Sequence, residues 1–312
     1  GISPDGKLLI QIINDTRIDD LSPFEPFDDS ARRNYRDVSG QPHICIDPYD
    51  NVNIIYVDFK AFLNDEYANV IKYTKLDING NYIINGKIIK FDDRVDIRPL
   101  RSPDIGNNSE GDIYIVWEGL PQVPFPVSSD DYYTVLDKNG TILNDSKILT
   151  SNTEGQTRYH GFPRIAIDNS DHAHIIWGNG AVAGQFVLDE NDLVIKNEDL
   201  EIDGAYSDVA SDPKDVHAII IDHDSFKYIS NLNYRKFDTS GNILNSRNNI
   251  TNKMHQSELH PQIDIGPDGK VHVVWENKEI TNIPGATRVY YMLLDNIGVE
   301  LKPYVQITLE NG

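Results

Sequence analysis

Apolar and polar residues alternate in short stretches along most of this chain, and no segment sustains the 3.6-residue period of a helix. The stretches recur in order. Five times, a strand opening on a small residue or proline is followed 14 positions later by the large apolar residue closing a second strand. The pairs are Pro42 and Tyr56, Pro103 and Trp117, Pro163 and Trp177, Ser207 and Ile221, and Pro261 and Trp275. A third strand then runs into Asp77, Asp137, Asp189, Asp238 or Asp295 and a turn, and a fourth follows. Four antiparallel strands per roughly 50 residues make the blade of a β-propeller. The predicted fold is therefore all-β: a propeller of four-stranded antiparallel blades, five in number, with six as the alternative.

Residues 42–312 hold the five repeats, and residues 1–41 are read as an N-terminal closing strand and a long loop of the same domain. Residues 8–17 resemble the fourth-strand segment 88–94. Alternatively, Ser3-Pro-Asp-Gly-Lys7 matches Gly266-Pro-Asp-Gly-Lys270 and would open the second strand of a degenerate sixth blade.

Within a blade each position has an expected job. The large residue closing the second strand anchors the blade core. The second position of the first strand (Ile44, Ile105, Ile165, Val209, Ile263) packs between blades. The third (Cys45, Gly106, Ala166, Ala210, Asp264) is small in four copies, as crowding at the axis would require. Asn53, Tyr114, His174, Ala218 and His272, three residues before the anchors, are read as buried groups bonded to a neighbouring strand. The turns Asp77–Gly80, Asp137–Gly140, Asp238–Gly241 and Asp295–Gly298 end in glycine for positive φ, and the leading Asp accepts turn N–H groups. These turns hold no EF-hand spacing. The expected cofactor is none, with weak calcium binding at the Asp-rich turns as the alternative.

Formal net charge is −21, which repels phosphate backbones and excludes nucleic acid as a partner. No apolar run reaches the roughly 18 residues of a transmembrane segment. Cys45 is the only cysteine, so no intrachain disulfide forms; it is read as a small buried residue. The chain opens on Gly1 rather than Met, which fits a processed end.

Pro163–Trp177 and Pro261–Trp275, the latter followed by Tyr291–Gly298, fit the pattern P-x-I-x-x-D-x-x-G/D-x-x-H-x-x-W, then Y-x-x-L-D-x-x-G. This pattern resembles the sialidase-like, BNR-type propeller repeats of archaeal and bacterial cell-surface proteins. The resemblance implies a propeller fold and an extracellular or cell-surface location. The sialidase Asp box S-x-D-x-G-x-T-W is only approximated, at Ser109-Glu-Gly-Asp and from Gly266, so no sialidase catalytic residue is carried over.

The loops after the second strands and before the first strands open on one face, around the channel mouth. There the sequence places the candidate ligand-binding residues Asp58, Glu118, Asp222, Glu276, His160, His260 and Arg101. Tyr206 approaches the same face, and the Pro-rich loop from Glu118, with Phe59 and Phe62, supplies aromatic contacts. No nucleophile elbow, phosphate loop or dinucleotide fingerprint occurs, and no metal ligand set is assigned. The function read from this is a secreted or cell-surface binding module holding a glycan or protein partner on the loop-rich face. A carbohydrate-active hydrolase or lyase using mouth carboxylates, and a structural element of a surface layer or filament, are the alternatives.

Overall fold

The computed structural model describes residues 40–63, 66–92, 100–119, 129–150, 161–178, 182–202, 204–224, 229–247, 249–251, 256–279 and 287–308. The expected closing strand within residues 1–39 lies outside them. The described residues form five four-stranded antiparallel sheets, each a simple meander, and the chain is a five-bladed β-propeller. Blade 1 is β1 (Gly40–Ile46), β2 (Val52–Leu63), β3 (Glu66–Leu76) and β4 (Tyr82–Asp92). Blade 2 is β5 (Leu100–Asn107), β6 (Ile113–Gly119), β7 (Asp130–Leu136) and β8 (Ile142–Ile148). Blade 3 is β9 (Arg164–Ile167), β10 (Ala173–Gly178), β11 (Ala183–Leu188) and β12 (Val194–Asp199). Blade 4 is β13 (Gly204–Ser211), β14 (Val216–Asp224), β15 (Ile229–Phe237) and β16 (Ile243–Arg247). Blade 5 is β17 (Gln256–Ile265), β18 (Val271–Glu279), β19 (Thr287–Leu294) and β20 (Glu300–Gln306). The inner strands β1, β5, β9, β13 and β17 are neighbours in that order.

The middle strands are buried on both faces, so they read as near-continuous apolar runs, while the outermost strands alternate or stay exposed. Cores form between blades. One joins Ile55, Ile71 and Tyr73 of blade 1 to Ile105, Ile115 and Trp117 of blade 2. The next joins Tyr114, Val116 and Tyr133 of blade 2 to Ile165, Trp177 and Phe186 of blade 3. Trp117, Trp177 and Trp275 are each at most 2% exposed, as expected of anchors.

Three sequence readings need correction. The third inner-strand position is small because it meets the next blade: a Cβ on Gly106 would lie 3.1 Å from Ile167 Cγ1 and 3.8 Å from Ile165 Cγ2. In blade 4 the anchor is Ile220, since Ser207 pairs with Ile220 rather than Ile221. There the hairpin closes through Asp212 N to Asp215 O, one residue tighter than Asp168 N to His172 O in blade 3. The same shift puts His217, not Ala218, at the recurrent polar position. That position is then polar in all five blades and bonded in each. Asn53 Oδ1 accepts from the Tyr73 hydroxyl at 2.6 Å, and Tyr114 bonds Asp192. His174 Nε2 lies 3.0 Å from Asp168, His217 Nδ1 2.7 Å from the Tyr234 hydroxyl and His272 Nδ1 2.9 Å from the Tyr291 hydroxyl. Burial pushes the His217 imidazole below its ordinary pKa, partly opposed by Asp212. The third correction concerns Ile44, which is 45% exposed, against 4–7% for Ile105, Ile165, Val209 and Ile263.

The turn reading holds. Gly80, Gly140, Gly241 and Gly298 have φ between 76° and 81°. Asp137 Oδ1 accepts from Asn139 N at 2.9 Å and Thr141 N at 2.7 Å, and these bonds hold its carboxyl below the usual range. Three of these turns, in blades 2, 4 and 5, also lean on the preceding blade. Gln185 Nε2 donates to Gly241 O, the Tyr234 hydroxyl to Asn296 O, and the buried Lys75, paired with Asp47 at 2.7 Å, to Lys138 O. A Cβ on Gly140 would come 2.4 Å from Ile84 Cδ1, whereas one on Gly269, also at positive φ, meets nothing within 4 Å. Gly140→Val should therefore cost about 3 kcal/mol, strain and clash together, and Gly269→Val only the strain, about 1–2 kcal/mol. Urea denaturation of both variants checks this; equal losses would remove the inter-blade clash from the account.

Candidate functional site

The site is built by one irregularity repeated on the inner strands. Register shifts fall between Gly40 and His43, Arg101 and Asp104, Gly204 and Ser207, and Leu259 and Gln262. Such bulges re-aim side chains next to functional sites. Just before the proline, Gln41, Ser102, Phe162 and His260 take φ of 30°, 51°, 54° and 46°. Positive φ is uncommon for residues with a side chain, and its repetition at equivalent positions marks a strained rim.

The bulge lays five equivalent side chains in one layer. Gln41 Oε1 accepts from Ser102 N at 2.6 Å. Phe162 packs on Tyr206 with centroids 4.4 Å apart, and Tyr206 meets His260 edge-on at 5.2 Å. His260 Nδ1 lies 3.3 Å from Glu276 Oε2, and both side chains are open to solvent. Burial pushes the Tyr206 hydroxyl pKa up; nearby Arg101 opposes this and Glu118 adds to it.

Beside this layer Arg101 forms an ion pair with Glu118 and places its guanidinium 5.6 Å over the Phe162 ring. Glu118 is 1% exposed, and a Cβ on Gly161 would sit 2.6 Å from its Oε2, so a side chain there would push the Glu118 carboxylate aside. Across the sheet Glu118 pairs in register with Asp131, which is fully buried with neither carboxylate oxygen hydrogen-bonded. Burial, then Glu118 and Asp130, drive the Asp131 pKa well above the carboxylate range.

One step further along the inner strands lies a second layer: His43, Asp104, Arg164, Asp208 and Gln262. Asp104 pairs with His43 at 2.9 Å and accepts from Ile165 N of the next blade at 2.9 Å. Asp208 accepts from Ile263 N of the next blade at 2.8 Å. An inner strand is a sheet edge, and these carboxylates cap its outward N–H groups. Burial opposes ionisation of Asp104, but His43, Arg164 and the Ile165 N–H outweigh it and hold the pKa low. At Asp208 burial and Asp104 win over Arg164, and the pKa is pushed up to about 7. Stability from a raised carboxyl is full below the unfolded value near 4 and is lost as pH rises through 7. Asp208→Asn, which stays neutral, should gain stability relative to the parent between about pH 4 and about pH 8. Parallel stability curves over that range in urea denaturation would refute the assignment.

The carboxylates expected at the mouth do not converge. Glu118 and Glu276 follow their anchors by one residue, whereas Asp58 follows Tyr56 by two and Asp222 follows Ile220 by two. One step along a strand moves a side chain to the other face. Asp58 accordingly pairs with Lys72 of its own blade at 2.5 Å, and Asp222 acts on Arg235 of its own blade. Asp58 and Asp222 also lie inside strands β2 and β14 rather than in loops. His160 lies outside the described residues, as do Phe59 and Phe62 as side chains. Arg101, Glu118, His260 and Glu276 are brought to the face, joined by Phe162 and Gln41, which the sequence reading passed over. The available signal was the residue before each repeat proline. A cavity of about 380 Å³ lined by Asp212, Pro213, Gly266, Pro267 and Asn296 lies at the turns between blades 4 and 5. Among the described residues no group of three or more His, Cys, Asp or Glu side chains is placed to hold a metal ion.

An aromatic pair next to a guanidinium, an imidazole and a carboxylate, on a polar rim, can stack on an apolar ring face and hydrogen-bond its hydroxyls. A scan against family models finds no match, and no curated protein matches in sequence. Solved structures do match. A Dyadobacter fermentans protein of unknown function aligns with TM-score 0.56 at 10% identity, over 88% of this chain and 84% of that one. The NanB sialidase of Streptococcus pneumoniae aligns with TM-score 0.56 at 8% identity, over 86% and 61%. An ulvan lyase, a polysaccharide lyase, aligns with TM-score 0.55 at 11% identity, over 86% and 66%. At such identities the likeness is one of fold, and this chain spans about two thirds of the sialidase and lyase chains.

Proposed function

We propose that this propeller is an extracellular carbohydrate-binding module, its glycan lying across the bulged inner-strand face. The observation that carries the reading is the Phe162–Tyr206–His260 layer, flanked by Arg101 and by Glu276. Phe162 and Tyr206 offer ring faces to a sugar, and His260 and Glu276 are the exposed polar contacts. Two structural neighbours are by name a sialidase and a polysaccharide lyase, which supports a carbohydrate ligand. No helix among the described residues is long and apolar enough to cross a membrane.

Screening against an array of neutral and acidic oligosaccharides tests the reading. Tyr206→Ala should weaken the strongest array signal at least about tenfold, the scale of a lost stacking contact, with the circular dichroism unchanged. Retention of full binding would remove this face as the site; no glycan binding at all would leave a protein partner in its place.

A second reading, catalysis, is favoured by the His260–Glu276 pair, its imidazole edge-on to the Tyr206 ring. A carboxylate-oriented imidazole is a competent general base, and a tyrosine hydroxyl a proton donor to a leaving oxygen. Incubation with polyuronates, following new reducing ends and unsaturated products, separates the two. Turnover abolished by His260→Ala favours the enzyme; binding without turnover favours the module.

A further inference from the structure

The hairpins joining first to second strands lie at the end of the inner strands opposite the bulges. In four blades the hairpin is built round its leading side chain. Asp47 Oδ1 accepts from Tyr49 N and Asn51 N, and Asn108 Oδ1 from Glu110 N and Asp112 N. Asp168 Oδ1 accepts from Ser170 N and His172 N, and Asp212 Oδ1 from Lys214 N and Asp215 N. In blades 3 and 4 the other carboxylate oxygen reaches the recurrent histidine, His174 Nε2 at 3.0 Å and His217 Nε2 at 3.2 Å. An ionised carboxylate only accepts, so Nε2 carries the proton in both.

Blade 5 keeps the donors and lacks the acceptor, because its leading residue is Gly266. His272 repeats His217, with Nδ1 on a tyrosine hydroxyl. Its Nε2 has no hydrogen-bond partner among the described residues, and it lies 3.0 Å from where a Cβ on Gly266 would stand. Asp268 Oδ1 has taken over the Lys270 N–H at 3.2 Å, but the Asp268 N–H itself finds no acceptor in another described residue. Asp268 Oδ1 also stands 3.0 Å from the Cβ point. That side chain is 51% exposed and paired with Lys270, so its charge is balanced and it is free to turn outward.

The same place is open towards blade 4. At the earlier junctions neighbouring hairpins touch: the Tyr49 hydroxyl donates to Glu110 O at 3.3 Å, Ser109 Oγ to Asp171 at 2.6 Å and Asn169 Nδ2 to Pro213 O at 3.1 Å. Among the described residues the tighter Asp212–Asp215 turn makes no such bond to the blade 5 hairpin, and the cavity of about 380 Å³ lies between them. Pro213, Ile265 and Pro267 give it an apolar wall, and Gly266 and Lys214 also line it. Lys214 forms no ion pair among the described residues. Asp212 and Asp215 are already engaged, the first by its turn and His217, the second by Lys236 at 2.7 Å.

We propose that this cavity binds a small organic carboxylate, its oxygens accepting from Asp268 N and His272 Nε2 where the turn carboxylate stands in blades 3 and 4. Lys214 supplies the opposing charge, and the organic body packs on Pro213, Ile265 and Pro267. Hydrogen bonds to an ionised acceptor are the strong ones. The volume is at the lower end for ligand sites, the size of a small molecule rather than a chain segment. The site is at the far end of the inner strands from the glycan face and does not depend on it.

The test is an NMR titration of the full chain with sodium acetate, against sodium chloride at equal ionic strength, following the Asp268 amide and the His272 ring. Saturable shifts of both signals with acetate alone are expected. Gly266→Asp supplies the carboxylate from the chain, as three other blades do, and should weaken acetate binding at least about tenfold. Lys214→Met, at an exposed position, guards against misfolding of that variant and should weaken binding about threefold, the scale of an exposed charge contact. Shifts that chloride reproduces, or that Gly266→Asp leaves unchanged, overturn the proposal. Tighter saturation by inorganic phosphate overturns the carboxylate in favour of a phosphoryl group. Saturation by zinc but not by acetate overturns it in favour of a cation held by His272 and Asp268.

Discussion

Trp177→Ala should lower stability by about 3–5 kcal/mol, a fall in Tm on the order of 10 °C. The indole is 2% exposed and sits in the junction between blades 2 and 3 with Tyr114, Val116, Tyr133 and Phe186. The neighbouring backbone is shaped to it: a Cβ on Gly184 would lie 2.2 Å from Trp177 Cζ2. Truncation therefore empties a space that strand pairing on both sides prevents from collapsing, which puts the cost at the upper end for such a substitution. The ring is buried between blades, so array binding by the surviving folded fraction should be unchanged. A variant that kept its Tm and lost glycan binding would convert the anchor into a ligand platform.

Arg101→Met should cost a similar amount, about 3–5 kcal/mol, for a different reason. It leaves Glu118, enclosed by Gly161 and next to Asp131, without its counter-charge. Adding Glu118→Gln to Arg101→Met should recover most of the stability at neutral pH, since the uncompensated charge is gone. Urea denaturation of the single and double variants reads both comparisons. A loss below about 1 kcal/mol, or no recovery in the double variant, would mean that the pair is an ordinary surface contact.

What was legible in the sequence was what the chain encodes locally. Turn glycines, the Asp acceptors, the Trp anchors and the four-strand repeat each depend on residues within about 15 positions. Where a local count slipped by one, the structural error was a whole face. The tighter Asp212–Asp215 turn moved the blade 4 anchor to Ile220 and the polar position to His217. The same parity separates Asp58 and Asp222 from Glu118 and Glu276. The inner-strand layers were not legible, because their partners lie some 60 residues away and meet only when blades stand side by side: Asp104 with Ile165, Gln41 with Ser102. A repeat alignment puts Gln41, Ser102, Phe162, Tyr206 and His260 in one column, but their diverse types conceal a shared bulge.

In blades 2 to 5 the turns between third and fourth strands rest on the blade made before them: Gly140 on Ile84, Asp192 on Asn144, Gly241 on Val187, Gly298 on Tyr234. The dependence runs from the N-terminus towards the C-terminus. A blade leaving the ribosome thus meets a finished template, with its acceptor carbonyls matched to donors already in place, and growth can proceed by addition to one end. A chain halted after blade 3 should hold its finished blades in native register, whereas one started at blade 3 should lack the surface on which its first turn sits. Assembly of this ring is in that sense directional, and the order of synthesis is the order in which its surfaces become available.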